Sequence, residues 1–426
     1  MKFTRSLGAL LAGASLALAL PSPRRPVVRR ETSTDLVAAS WYAGWHADDV
    51  PIQNVSWSKY THMTYSFAIT APSVKTLSLA DSDVTLLKEF VSTAHANNVT
   101  ALASIGGWTG GIYFSSNVAT AENRTAFVKT VTDMATNFSL DGLDFDWEYP
   151  NADGIGCNVV HPQDTSNFLS FLQELRQDPV GSQLFLTAAS SVNPWNDATQ
   201  TPSTNLSGFA DVLDYIAIMN YDIWGSWTPT AGPNAPLNDS CASTDRQQGS
   251  AVAAVQKWHA AGIPTNKLVL GVPSYGHSFR VAPQNAVVDG TGELAAYPAF
   301  AAQDQPLGDS WDDPNPGPDV CGNAQGPEGN FDFWGMFEGG FLVVDANGTA
   351  VPAEGIASTF DECSQTPFVY NATSEVFVAY DDPRSFAAKG AFINSTGLRG
   401  FAMWETGGDY KDMLVDSIRS AVGFAA

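Results

Sequence analysis

Residues 141–150 read Asp-Gly-Leu-Asp-Phe-Asp-Trp-Glu-Tyr-Pro, which sets three carboxylates, Asp144, Asp146 and Glu148, at a spacing of two. Side chains two apart on a β-strand point to the same face. The three acids therefore share one face, with Leu143, Phe145 and Trp147 on the other. Asp141 falls in the other phase and is read as structural. Crowded, desolvated carboxylates cannot all stay ionised, so at least one pKa rises and a proton donor near neutral pH results. Glu148 ends the row just before Tyr149 and Pro150 stop the strand, where a parallel-sheet enzyme presents an acid to its substrate. On spacing alone, acid catalysis, a metal site and a solvated surface strand all remain open.

The surrounding elements must hold this row at one end of a sheet. From residue 37, β-rich runs alternate with amphipathic stretches, the pattern of a parallel sheet covered by helices. Strands are expected at 37–45, 61–69, 99–104, through the acidic row, and at 184–191, 215–221, 268–275 and 400–404. Helices are expected at 84–96, 121–138, 165–176, 250–261, 383–393 and 413–422. Eight such units imply an α/β fold, a TIM (β/α)8 barrel with its active site at the carboxyl ends of the strands. The rhythm breaks between about 280 and 382, a Gly-, Pro- and Asp-rich stretch with short strands at 340–345 and 375–380 and plain loop at 311–317.

Asp141-x-x-Asp144-x-Asp146-x-Glu148 resembles the signature of glycoside hydrolase family 18, the chitinases and their relatives. Met219-Asn220-Tyr221-Asp222, at the end of the sixth strand, matches that family's Met-x-Tyr-Asp pattern, and Trp404 ends the eighth strand. The resemblance implies a retaining, substrate-assisted hydrolysis of β-1,4 bonds between N-acetylglucosamine units, without metal or cofactor. Glu148 would be the acid and then the base, and the substrate's 2-acetamido oxygen the nucleophile, giving an oxazolinium. Asp146 would hold the acetamide N–H. Asp144 would share a proton with Asp146, and Tyr221 would donate to the acetamide carbonyl. Asp222 and Met219 would lie near the cleavage site, with Trp404 as the floor. Gly107, Trp108 and Trp227 would lie toward the leaving group, and Tyr42 and Phe67 at the bottom of the pocket. Trp195, Trp224 and Trp334 are further aromatic candidates.

The resemblance also implies a fungal-type source. It makes 280–382 a small α+β insertion domain, with 31–279 and 383–426 as the catalytic barrel. One departure is His277, where many relatives carry arginine, so a basic cleft contact becomes pH-dependent or is lost. Two rival readings stay open on the same barrel: a chitin-binding lectin, and an enzyme cutting the chitobiose core of N-glycans.

Residues 1–19 read as a secretory signal, a basic start followed by an apolar run, and 20–30 as a basic pro-segment. Removing residues 1–30 takes away six basic residues and no acid, moving the net charge from −23 to −29. Such a surface repels nucleic acid and anionic membrane but is indifferent to an uncharged polysaccharide. No anchoring tail or further module is read after the last helix, and a secreted monomer is expected. The four cysteines suggest two disulfides. Cys157 follows the acidic strand and Cys241 lies in a later loop, whereas Cys321 and Cys363 share the irregular segment. The expected pairs are Cys157–Cys241 and Cys321–Cys363. Nine Asn-x-Ser/Thr sequons, at Asn54, Asn98, Asn123, Asn137, Asn205, Asn238, Asn347, Asn371 and Asn394, fit export. The six histidines show no metal-ligand spacing, Gly154-Ile155-Gly156 lacks the rest of a dinucleotide loop, and no serine nucleophile elbow is present.

Overall fold

The computed structural model describes residues 35–79, 84–288 and 290–425, so the leader and pro-segment expected within residues 1–30 lie outside the described residues. The chain lays down β1 (Val37–Ala43), β2 (His62–Thr70), a short β3 (Leu77–Ser78) hairpinned onto β2, and β4 (Thr100–Gly106). It continues with β5 (Gly142–Asp146), β6 (Phe185–Ser190), β7 (Tyr215–Ile218) and β8 (Leu268–Pro273). It then leaves the barrel for β9 (Tyr275–Arg280), β10 (Asn330–Asp332), β11 (Leu342–Val344), β12 (Ala350–Pro352), β13 (Ala357–Asp361), β14 (Thr366–Asn371) and β15 (Val376–Ala379). It returns as β16 (Gly400–Trp404).

The barrel strands follow the order β1-β16-β8-β7-β6-β5-β4-β2, and β1 also pairs with β2, which closes the ring. Every barrel pairing is parallel. This is the expected TIM barrel, and its strands end within three residues of the sequence-based bounds. The helices between them present apolar stripes to the outside of the ring. Leu143 and Phe145 of β5 pack there with Phe127, Phe168 and Phe171. The inside holds a second, smaller cluster that includes Val37, Ala39, Trp41, Ala217 and Val269. Three helix starts are fixed by side-chain caps: Thr120 Oγ1 accepts the Asn123 N–H, Ser250 Oγ accepts the Ala253 N–H, and Asp382 forms a capping box with Ser385.

The segment outside the barrel is more ordered than its sequence suggests. A five-stranded antiparallel sheet runs β10-β9-β15-β14-β13, and β11 pairs with β12. The seventh barrel strand stops at Pro273 rather than running to residue 275. At Ser274 the backbone N–H donates to Trp404 O, and at Tyr275 the chain enters the antiparallel sheet.

The cysteines pair differently from the expectation, as Cys157–Cys321 and Cys241–Cys363. Proximity along the chain misled the sequence reading. The loop after β7 is carried onto the turn between β13 and β14, where Leu237 N–H donates to Ser364 O at 2.8 Å. The loop after β5 instead meets the long excursion between β9 and β10. Each bond therefore ties a barrel loop to the segment inserted after β8. Among the described residues no helix is long and apolar enough to cross a membrane.

Candidate active site

The register of β5 with its neighbours places the acid row. Asp144 lies opposite Ser104 of β4 and Thr187 of β6, and Asp146 lies opposite Gly106 and Ala189. Asp144 is buried and fully engaged. Its Oδ2 accepts from Trp41 Nε1 (3.1 Å) and Ser104 Oγ (2.8 Å), and its Oδ1 accepts from Thr187 Oγ1 (2.5 Å). Burial raises its pKa while these three donors pull it back. Asp146 has no comparable support: its buried Oδ1 has no hydrogen-bond partner. Burial, then the charges of Glu148 and Asp144, push its pKa well above the carboxylate range.

Glu148 sits two residues past the strand end and is partly exposed. Burial pushes its pKa up to about 7, Asp222 adds to the rise, and a hydrogen bond from Tyr149 opposes it. The row is thus graded, from a tied carboxylate at the bottom to a proton-holding acid at the mouth. On the opposite face Trp147 is buried and stacks on Phe114 at 5.2 Å. Asp141 turns outward to His95 Nε2 (2.8 Å) and the Ala101 N–H (2.9 Å), a structural position.

Gly106 and Gly107 explain how β4 clears this site. Both have positive φ, +111° and +83°. A Cβ at Gly106 would lie 2.1 Å from the Asp146 carbonyl oxygen, and one at Gly107 would press on the Phe67 ring at 3.0 Å.

Facing the acids, Tyr221 is buried within the charge fields of Asp146, Asp222, Glu148 and Asp144, and burial with these charges raises its pKa. Asp222 takes a positive φ of 56°, held by its N–H donating to Asn234 Oδ1 at 2.8 Å. Its Oδ1 accepts from the Tyr275 hydroxyl and pairs with His277 Nε2, each at 2.7 Å. Trp404 and Met219 pack against Tyr221 and Tyr275. Trp404 also begins an aromatic row, stacking with Phe67 (5.6 Å, 25°), which in turn stacks with Trp45 (6.0 Å, 20°). Among the described residues no group of three or more His, Cys, Asp or Glu side chains is placed to hold a metal ion.

The sequence profile of the glycosyl hydrolases, family 18, matches residues 38–409. The chain belongs to this family. It is 48% identical over 395 residues to a chitinase-like effector of Moniliophthora perniciosa, covering 92% of this chain and 89% of that one. It is 31% identical over 334 residues to Chitinase A1 of Niallia circulans, covering 76% of this chain and 42% of that one. The solved chitinase RmChi1 of Rhizomucor miehei superposes with a TM-score of 0.80 at 31% identity, covering 91% of this chain and all of that one.

On this family 18 barrel several expected residues move. Tyr42 does not reach the pocket. It is buried on the helix-facing side against Tyr65 and Phe90, and its hydroxyl donates to Val50 O at 2.8 Å. The two-residue period of β1 makes Trp41 the inward residue, so the first-strand assignment was out of phase by one. Trp195 lies in the core with Phe168, Phe209 and Trp258, and buried Trp224 packs edge-on to Tyr297. Neither belongs to the site. Trp108 and Trp227 are the opposite case, 51% and 62% exposed, with Trp227 edge-on to His277.

Besides Trp41, the residues missed include Trp45, His46 and Trp311. Trp45 was legible as the aromatic that ends the expected first strand. Trp311 was not, because it comes from a loop without periodicity and stacks on His46 at 3.7 Å, with Trp334 edge-on behind it. His46 Nδ1 is held by Glu405 Oε1 at 2.7 Å, and the other carboxylate oxygen accepts the Ala43 N–H.

Proposed function

We propose that this family 18 protein is a secreted chitinase that cleaves β-1,4 bonds between N-acetylglucosamine units with retention of configuration. The observation that carries this reading is the graded acid row. Glu148 stands at the mouth with a pKa of about 7, next to Asp146, whose buried Oδ1 is unpartnered, and Tyr221 shares the same field.

Glu148 protonates the glycosidic oxygen, and the acetamide oxygen of the same sugar attacks the anomeric carbon. Asp146 takes the acetamide N–H, a partner that would satisfy its free oxygen, and Asp144 fixes the row from below. Tyr221 donates to the acetamide oxygen and orients the attack. The oxazolinium is then opened by water, with Glu148 taking the proton. The sugar stacks on Trp404, with Met219 and Asp222 beside the cleavage site. Gly107, Trp108 and Trp227 lie on the leaving-group side, and Phe67 and Trp45 extend the aromatic row. The barrel built from β1 to β8 and β16 carries the catalysis, and the segment from β9 to β15 forms a wall on it. The two disulfides and the sequons, none of whose asparagines is buried, support export.

The test is hydrolysis of N-acetylchitohexaose followed by proton NMR, with β-anomer expected as the first product. Early α-anomer, or efficient cleavage of fully deacetylated chains, would defeat the mechanism. A second reading, oligosaccharide binding without turnover, draws on the relatives named chitinase-like effectors. Tight hexaose binding without any product would favour it.

A further inference from the structure

The excursion between β9 and β10 runs from one rim of the barrel to the other. Its outward leg starts at Trp311, stacked on His46 just past β1. The indole also borders Gly407 just past β16, where a Cβ would meet it at 2.9 Å. Ten residues later Cys321 is bonded to Cys157, in the loop after β5. Around the ring, β16 and β5 stand four strands apart in either direction, so the strand ends that carry the two anchors lie on opposite sides of the ring. Ten residues reach at most about 33 Å. A ring of eight strands about 4.8 Å apart is roughly 15 Å across, so the leg can span it.

The base and tip of the excursion are both built. Asp312 Oδ2 accepts the N–H groups of Gly308 (2.7 Å) and Gly329 (2.9 Å), and its Oδ1 accepts that of Glu328 (2.9 Å), pinching the two legs together. At the tip, Asp319 Oδ1 accepts the N–H groups of Cys321 (2.9 Å) and Asn323 (2.7 Å), which reverses the chain. The return leg brings Glu328 within electrostatic reach of His277 and Asp222. The base therefore lies on the Asp222 side of the site, and the chord from β16 to β5 joins the strand that ends in Trp404 to the strand that leads into Glu148.

We propose that residues 312–328 form a strap across the cleft, latched by the Cys157–Cys321 bond. A polysaccharide then enters by threading a free end, and internal bonds of an intact chain are not reached from above. The strap rests on the chitin-cleaving reading only for its consequence, not for its geometry.

The test compares the full chain with two variants. In one, Cys157→Ser and Cys321→Ser unlatch the tip. In the other, Cys157→Ser is combined with replacement of 314–326 by two glycines, which removes the roof and keeps the pinch at Asp312. The probes are N-acetylchitohexaose and soluble glycol chitin. Hexaose turnover should stay within about twofold, while viscosity loss per reducing end released from glycol chitin rises about fivefold once the strap is gone. Identical viscosity curves overturn the strap. Should both variants lose their near-UV dichroism, the wild-type curve decides, since a steep loss of viscosity per bond cut overturns the proposal and a shallow one supports it. Should the wild type not cut hexaose, the hydrolase reading fails instead. The strap is then judged by hexaose release, about fivefold faster without it, equal rates overturning it.

Discussion

The end of β5 and the rim where β1 meets β16 are built by opposite means. At β5 the chemistry comes from one contiguous run, and a two-residue period sends Asp144, Asp146 and Glu148 to one side. Their different protonation tendencies follow from their partners: burial raises all three, Asp144 is tied by three donors, Asp146 is unpartnered, and Glu148 is opposed only by the Tyr149 hydrogen bond. At the other rim, Trp45, His46, Trp311, Trp404 and Glu405 come from three separate stretches and hold one another by ring contacts and a single hydrogen bond. On the proposed reading, the first region moves a proton and the second offers a flat surface. The contrast predicts that damage at β5 appears in the rate and damage at the rim appears in affinity.

The largest effect should come from Glu148→Gln, which removes the proton donor and keeps the shape. Turnover of N-acetylchitohexaose should fall on the order of 10²–10⁴-fold, while calorimetry shows hexaose affinity little changed. Unchanged turnover would take Glu148 out of its role. Next comes pH. The acid must carry its proton, so kcat/KM should decline about tenfold per unit above a pH of about 7. Asp222→Asn should move that limb to lower pH, since the Asp222 charge contributes to the rise.

The same raised pKa sets a sign for stability. The folded state holds the Glu148 proton more tightly than the unfolded chain does. Its contribution is therefore full below 4.5 and is lost as pH rises toward 7. Thermal melts of Glu148→Gln should show a shallower decline across that window than the wild type.

At the rim, Trp404→Ala should weaken hexaose binding by about tenfold, in keeping with loss of an aromatic stack. His46→Ala, which frees Trp311 from its support, should cost only about threefold. A large loss of turnover at unchanged affinity in either variant would break the comparison. Trp41→Phe probes the β5 side without touching the mouth. It leaves buried Asp144 short of one donor and should lower unfolding stability by about 1–3 kcal/mol, read from denaturant midpoints.

How much of this was legible follows from the range of each interaction. The eight strands, the acid row and the Tyr221-Asp222 pair announce themselves through short periods and adjacency, which the chain carries locally. Tyr42 shows the limit even there: β1 has all seven residues buried, so hydrophobicity gives no phase, and only packing against Phe90 reveals which side faces the helices. The disulfide pairing depends on which loops the closed ring brings face to face, and nearness in sequence pointed to the wrong partners. Trp311 is the sharpest case, since no feature of its loop marks it until the turn after β1 supplies His46 beneath it. The sequence by itself determined the barrel and the one-sided row of acids, because both rest on the geometry of consecutive residues. Only the tertiary structure decided the aromatic rim, the pairing of the cysteines and the crossing of the mouth. Those are contacts between residues far apart in the chain, fixed when the ring closes.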